Sequence, residues 1–247
     1  MTKLFYTLLA VAAAVSCAAK PDFPTARFAT PAGQEVEVSM IHHGSLAMSY
    51  KGYRIQVDPV LKMGANEVDY KAFPKADCIL VTHEHGDHFD PEAIRFLSKD
   101  GTRVLLNAAS QALLGSGEAV ANGDTLQVGN IGLVVVPAYN ITEDHLQFHP
   151  KGRDNGYILD FDGLRIYVSG DTEDIEEMAG FGPIDVAFLS VNQPYTMTTT
   201  QCVEAAMTLQ PKTLVPYHLS DTDIQEIKTV LDSNDSGIEV LLFDTLR

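Results

Sequence analysis

Three histidines and an aspartate fall within the six residues His83-Glu84-His85-Gly86-Asp87-His88. The string follows Cys78-Ile79-Leu80-Val81, a short, apolar, β-branched run that reads as a buried strand. The cluster therefore sits where a strand leaves the core and becomes a loop, a place that commonly carries function. His83 and His85 are two residues apart, so in an extended segment both point the same way and can grip one metal ion. Gly86 lacks a Cβ and is expected to let the backbone turn sharply. Asp87 and His88 would then face a second ion, or the other side of the first. Neutral imidazole and carboxylate suit zinc, iron or manganese. A polar loop merely rich in histidine is the alternative, and the whole H-x-H-G-D-H string argues against it.

Further downstream, two apolar runs end in candidate ligands. Leu164 to Val168 runs into Ser169-Gly170-Asp171-Thr172, and Thr213 to Tyr217 runs into His218. A carboxylate such as Asp171 has two oxygens and can touch two ions at once. That suits a pair of ions about 3.5–4 Å apart. A competing role for Asp171 is to cap a helix over Glu173 to Met178. Alone, His218 reads as a strand-end histidine satisfied by hydrogen bonds.

Taken together, these residues resemble the metallo-β-lactamase superfamily. The likeness rests on H-x-H-x-D-H, on Gly-Asp-Thr after a strand and on His218, and it runs from about Val36 to the C-terminus. It is closest to the branch of metal-dependent hydrolases that includes ascorbate-6-phosphate lactonase-like proteins. The resemblance implies an α/β fold, a four-layer αββα sandwich with mixed sheets and the metals at one edge. It implies that His83 and His85 hold one ion, that Asp87, His88 and His218 hold another, and that Asp171 bridges them. Two zinc ions are the first expectation, with manganese or iron as alternatives. A metal-bound hydroxide would be the nucleophile, with Asp87 also carrying a proton to the leaving group.

One position departs from the family pattern. Where a histidine ligand usually follows a strand, this chain has Asn140 in Pro137-Ala138-Tyr139-Asn140. His149, which opens His149-Pro150-Lys151-Gly152, is expected to face the site as a ligand or a substrate contact. His145 is expected to be exposed. Lys151 can neutralise an anionic substrate group, and Asn192 and Tyr195 can line the pocket. One of His42 and His43 is expected to approach the site behind the ligands, the other to be an ordinary loop histidine.

The elements that must position these residues alternate in type. A strand over Val36–Met40 precedes a hairpin, Ser45–Tyr50 and Tyr53–Val57, turning at Lys51-Gly52. Asp90 and Pro91 open a helix running to Ser98. A strand over Val104–Leu106 and a helix over Ala108–Leu114 follow. Hairpins turn at Gly129-Asn130 and Asp162-Gly163. Ile184–Val191 reads as a strand and Thr200–Leu209 as a helix. The last helix spans Asp223–Leu231 and the last strand Ile238–Phe243. Cys78 and Cys202 read as small buried residues.

Residues 1–16 read as a signal peptide: Lys3 precedes an apolar stretch, Leu4 to Val15, too short to span a bilayer comfortably. Small residues before Cys17 resemble a bacterial lipobox. Residues 17–34, with Pro21, Pro24 and Pro31, read as a tether, and 35–247 as the hydrolase domain. The expected location is therefore outside the cytoplasm, periplasmic or lipid-anchored, with the membrane touched only through the lipid. The formal net charge of −16 disfavours phosphate backbones, so no nucleic-acid partner is expected. The expected function is metal-dependent hydrolysis of a small ester, lactone or related bond in a small-molecule substrate. The alternatives are a phosphodiesterase or phospholipase-type activity, or a catalytically lapsed, lipid-anchored binding protein motivated by Asn140.

Overall fold

The computed structural model describes residues 23–247; the expected signal peptide and Cys17 fall outside these residues. Two seven-stranded sheets face each other. The first is built from β1 (Thr25–Ala29), β2 (Glu35–His42), β3 (Ser45–Tyr50), β4 (Tyr53–Val57), β7 (Cys78–Val81), β8 (Arg103–Leu106) and β9 (Glu118–Ala119), in that spatial order. A small hairpin, β5 (Lys62–Met63) and β6 (Asn66–Glu67), branches off between β4 and β7. The second sheet runs β10 (Thr125–Val128), β11 (Ile131–Ala138), β12 (Asp154–Phe161), β13 (Leu164–Val168), β14 (Val186–Ser190), β15 (Thr213–Tyr217) and β16 (Glu239–Val240). Each sheet begins as an antiparallel meander and continues as parallel strands, the mixed pattern expected from alternating hairpins and helical crossovers.

Alternation along β7 shows how the layers form. Cys78 and Leu80 join the core between the sheets. Ile79 and Val81 turn the other way, onto Ala93, Ile94 and Leu97 of helix α1 (Pro91–Leu97). A strand buried on both faces must be apolar throughout, as this one is. Helix α2 (Ala108–Leu114) follows β8. On the second sheet, α3 (Thr199–Leu209) and α4 (Ile224–Ser233) cover the outer face with Cys202, Ala206, Leu209, Ile227 and Leu231. Both described cysteines are free and buried.

Three expectations need correction. The chain is already in the first sheet by Thr25, pairing β1 with β2, because Ala26 and Phe28 alternate inward and pack on the core. The tether expected over 17–34 therefore extends no further than Pro24. No α-helix forms over Glu173–Met178; only a 3-10 turn at Glu176–Gly180 does, so Asp171 caps nothing. The reason is that the Glu173 side chain is buried and accepts the Ile141 and Thr142 amides, both at 2.7 Å, instead of facing solvent. The last strand shrinks to two residues, Glu239–Val240.

At the end away from the candidate ligands, the sheets are clasped through their turns. Tyr50 donates to Asp162 at 2.6 Å, and Lys51 does so at 2.6 Å. Near the ligands the backbones themselves meet. Asn155 donates its amide to the Thr82 carbonyl at 3.0 Å, and Tyr157 its hydroxyl to the Val81 carbonyl at 2.6 Å. Gly170 lies in this close approach with φ +63, and a Cβ there would stand 2.6 Å from the Asn155 carbonyl oxygen. Gly170→Ala is expected to lower stability by about 2–4 kcal/mol through left-handed backbone cost and overpacking. Chemical denaturation checks this.

Candidate metal centre

Every candidate ligand lies just beyond a strand end at one edge of the sandwich. His43 follows β2, His83 to His88 follow β7, Asp171 follows β13 and His218 follows β15. The loop after β11 returns to the same edge at His149, shortly before β12 begins. Sequence distance is removed by parallel strands whose C-terminal ends share that edge.

Three groups of donor atoms result. Those of His83, His85 and His149 lie within 4.8 Å of one another, as do those of His43, Asp87 and His218, and those of His83, His88 and Asp171. Asp171 is the hub. Its Oδ2 lies 3.4 Å from His149 Nε2, 3.2 Å from His218 Nε2 and 4.0 Å from His83 Nε2. Its Oδ1 lies 3.3 Å from His88 Nε2. Asp87 Oδ2 lies 3.4 Å from His218 Nε2 and 3.8 Å from His88 Nε2.

Outer partners aim these rings. His88 Nδ1 faces Asp58 Oδ2 at 2.8 Å, and His149 Nδ1 faces Asp154 Oδ2 at 2.9 Å. His83 Nδ1 meets the Thr82 hydroxyl at 3.0 Å. Each such contact leaves Nε2 pointing inward, the arrangement seen around metal-ligating imidazoles. Asp58 is itself buried and also accepts the Thr82 amide and hydroxyl, each at 2.7 Å. Gly44 makes room for His88: a Cβ there would stand 2.8 Å from the His88 ring.

The inward atoms lack protein partners. His83 Nε2, His88 Nε2, both nitrogens of His218 and Asp171 Oδ1 are buried without a hydrogen bond. Buried polar groups are rarely left so. A set of imidazole and carboxylate donors aimed at common points fits divalent cations of the zinc, manganese or iron type.

Charge follows the same logic. Burial holds His83 well below the usual histidine range, helped by His88 beside it. Burial, then His149, lowers His85. His43 is pushed down to about 4 by burial and by His218. His88 goes the other way: burial opposes its charge, but Asp171, Asp87 and Asp58 outweigh burial and hold it well above the usual range. Burial opposes the charge on Asp171 and Asp87 too, yet neighbouring imidazoles keep both carboxylates well below theirs. His88 thus faces one buried carboxylate, Asp171, and one half-buried carboxylate, Asp87, a pair of negative charges that a cation would balance better.

The remaining predicted residues divide. His149 joins His83 and His85, nine residues beyond the family's usual position at Asn140. Asn140 instead donates to the Tyr195 carbonyl at 2.7 Å and to the His145 carbonyl at 3.3 Å, pinning the loop that delivers His149. His145 is half-buried and not exposed; its Nδ1 meets Glu173 at 3.1 Å. Lys151 is turned to Glu177 at 2.8 Å and to the Tyr139 hydroxyl at 2.9 Å, so its ammonium already has partners. Asn192 is buried and its carbonyl accepts the Tyr195 amide at 2.9 Å. The Tyr195 ring is exposed and stacks edge-on against Phe148 at 5.0 Å. Gly86 has open space around it and no left-handed φ, so the turn into Asp87 does not require glycine. Asp58 and Asp154 escape a reading of the sequence as site residues. The first follows β4 and the second opens β12, and the partner of each is set by tertiary contact.

Residues 37–218 match the family model described as "Beta-lactamase superfamily domain". The chain belongs to the metallo-β-lactamase superfamily. It is similar to the UPF0173 metal-dependent hydrolase of Thermococcus kodakarensis, 31% identical over 74% of this chain and 84% of that one. A solved structure from Parabacteroides distasonis, provisionally named a metal-dependent hydrolase, is 50% identical with a TM-score of 0.85, covering 90% of this chain and 98% of that one. Igni18 of Ignicoccus hospitalis, described as a metallo hydrolase, shares the fold at 24% identity and a TM-score of 0.70, over 86% and 96% of the two chains. The protein is thus a metal-dependent hydrolase of this superfamily, and the expected sandwich of two mixed sheets is the one observed.

Proposed function

We propose that this hydrolase cleaves a small ester or lactone with the aid of two divalent cations, zinc being the first expectation. His83, His85, His149 and Asp171 would hold one ion; Asp87, His88, His218 and Asp171 would hold the other. The observation that carries the reading is the Asp171 carboxylate, with imidazole nitrogens of both groups 3.2–3.4 Å from its oxygens. These separations are long for hydrogen bonds and suit donors that share a cation. When bound, the ions would polarise the substrate carbonyl and acidify a water.

The chain's own residues do the rest. Asp171 sets the spacing of the two sites. Asp58 and Asp154 face the Nδ1 atoms of His88 and His149, which would favour the neutral form whose Nε2 is free for a cation. The Asp87 side chain is partly open to solvent at 31% exposure, so its oxygen not turned to the ion would be the one to receive a proton and hand it to the leaving oxygen. Acidity of the surface supports a small-molecule partner over nucleic acid.

The lapsed binding protein was motivated by Asn140 alone, and His149 beside His83 and His85 removes that motivation. Export, with lipid on Cys17 or cleavage close by, remains part of the proposal on the strength of residues 1–17. The mass of the mature N-terminus tests it. For the chemistry, the test is elemental analysis together with turnover on a panel of lactones and phosphodiesters. About two ions per chain and lactone turnover abolished by His85→Ala are expected. Equal rates for parent and mutant would refute the assignment of chemistry to this site, and preference for phosphodiesters would move it to the alternative class.

A further inference from the structure

We infer that His43 is a fifth protein donor to the second cation site, alongside Asp87, His88, His218 and Asp171, so that the two sites differ in coordination number. The inference rests on the two-cation reading above. His43 is 2% exposed, and neither ring nitrogen has a hydrogen-bond partner. Its Nε2 lies 3.6 Å from Asp87 Oδ2, too far for a hydrogen bond. That distance suits two donors of one ion, each about 2.0–2.2 Å from it. Its donor atom, that of Asp87 and that of His218 lie mutually within 4.8 Å.

The backbone is arranged to bring the ring there. His43 and His218 both take left-handed conformations, φ +46 and +58. Non-glycine residues rarely do so, and such positions cluster at functional sites. The His43 carbonyl accepts the His218 amide at 3.3 Å, which ties the end of β2 to the end of β15. The His43 and His218 rings lie 3.8 Å apart and the His218 and His88 rings 5.0 Å apart, while His43 and His88 stand 6.4 Å apart. His43 and His88 thus flank His218 at roughly a right angle.

Four protein donors, His83, His85, His149 and Asp171, with the water proposed above would give the first ion five ligands; five protein donors with that water would give the second six, which suits an ion of the manganese, iron or cobalt type. The ligand chemistry of the second site is therefore harder and more crowded than that of the first.

The test is titration of the full-length, metal-stripped chain with Co2+ alone, followed by visible absorption and by calorimetry. Five-coordinate Co2+ absorbs several-fold more strongly than six-coordinate Co2+. In the parent protein one equivalent should give strong absorption and the other weak absorption. In His43→Gln the second ion should bind at least about tenfold more weakly, and its weak absorption should strengthen, while the first ion is unchanged. Two equivalents of equal intensity in the parent would overturn the inference without any mutant. So would a mutant with unchanged second-ion affinity and spectrum. A parent that binds fewer than two ions overturns the functional reading first, and this inference with it.

Discussion

Asp171→Asn is expected to cut bound metal from about two ions per chain to less than one, and hydrolysis by on the order of 10^3-fold. The substitution keeps the shape of the side chain but removes its charge and one acceptor oxygen. Asp171 is 2% exposed and borders His83, His88, His149 and His218 at once. No other described carboxylate has imidazoles of both ion sites around it. Loss should therefore strike both sites together, whereas His85→Ala should weaken only one. Elemental analysis of the two mutants separates these patterns. An Asp171→Asn protein that still carries two ions would show that the carboxylate does not bridge.

Asp58→Ala is expected to lower stability by about 3–5 kcal/mol, as when one partner of a buried, charged network is removed. Asp58 is fully buried and accepts from the Thr82 amide and hydroxyl while facing His88 Nδ1 at 2.8 Å. Alanine would leave the buried Thr82 amide without a partner, and the Thr82 hydroxyl and His88 Nδ1 with only the weaker contacts among Thr82, His83 and His88. Asp58→Asn is the gentler probe. Its oxygen can still accept one hydrogen bond, but its NH2 group would meet donors. Stability should fall less, and the affinity of the ion held by His88 should drop about 10–100-fold because the ring is no longer fixed. Denaturant titration and calorimetric metal titration read the two effects. Unchanged metal affinity in Asp58→Asn would show that Asp58 supports the fold without aiming His88.

The portion of the site legible in the sequence was the portion encoded locally. His83, His85, Asp87 and His88 sit within six residues, and the strand before them is apolar on both faces. Asp171 and His218 were legible because each ends an apolar strand. His149 was harder to place, since its loop is set by contacts far from it: Glu173 holding the Ile141 and Thr142 amides, and Asn140 holding the Tyr195 carbonyl. The same buried Glu173 explains why its segment fails to become an α-helix. Charge and periodicity there favoured a solvated helical turn, and tertiary hydrogen bonds prevailed. His43 was visible as a histidine in a strand connection, but its approach to Asp87 follows from a left-handed backbone that no local pattern announces. Lys151 meets Glu177 and the Tyr139 hydroxyl, since a lysine near a site can satisfy a carboxylate of its own chain as readily as a substrate's.

The clasp of Tyr50 and Lys51 on Asp162 has a mechanical corollary. It bolts the two halves together at the end remote from the histidines, and it needs no metal. Chelation should therefore loosen the ligand end first, where the Asn155–Thr82 and Tyr157–Val81 hydrogen bonds remain as ties that need no metal, and leave the Asp162 end least changed. Amide exchange should quicken in that graded order, with protection lost first around the ligands and last at Asp162.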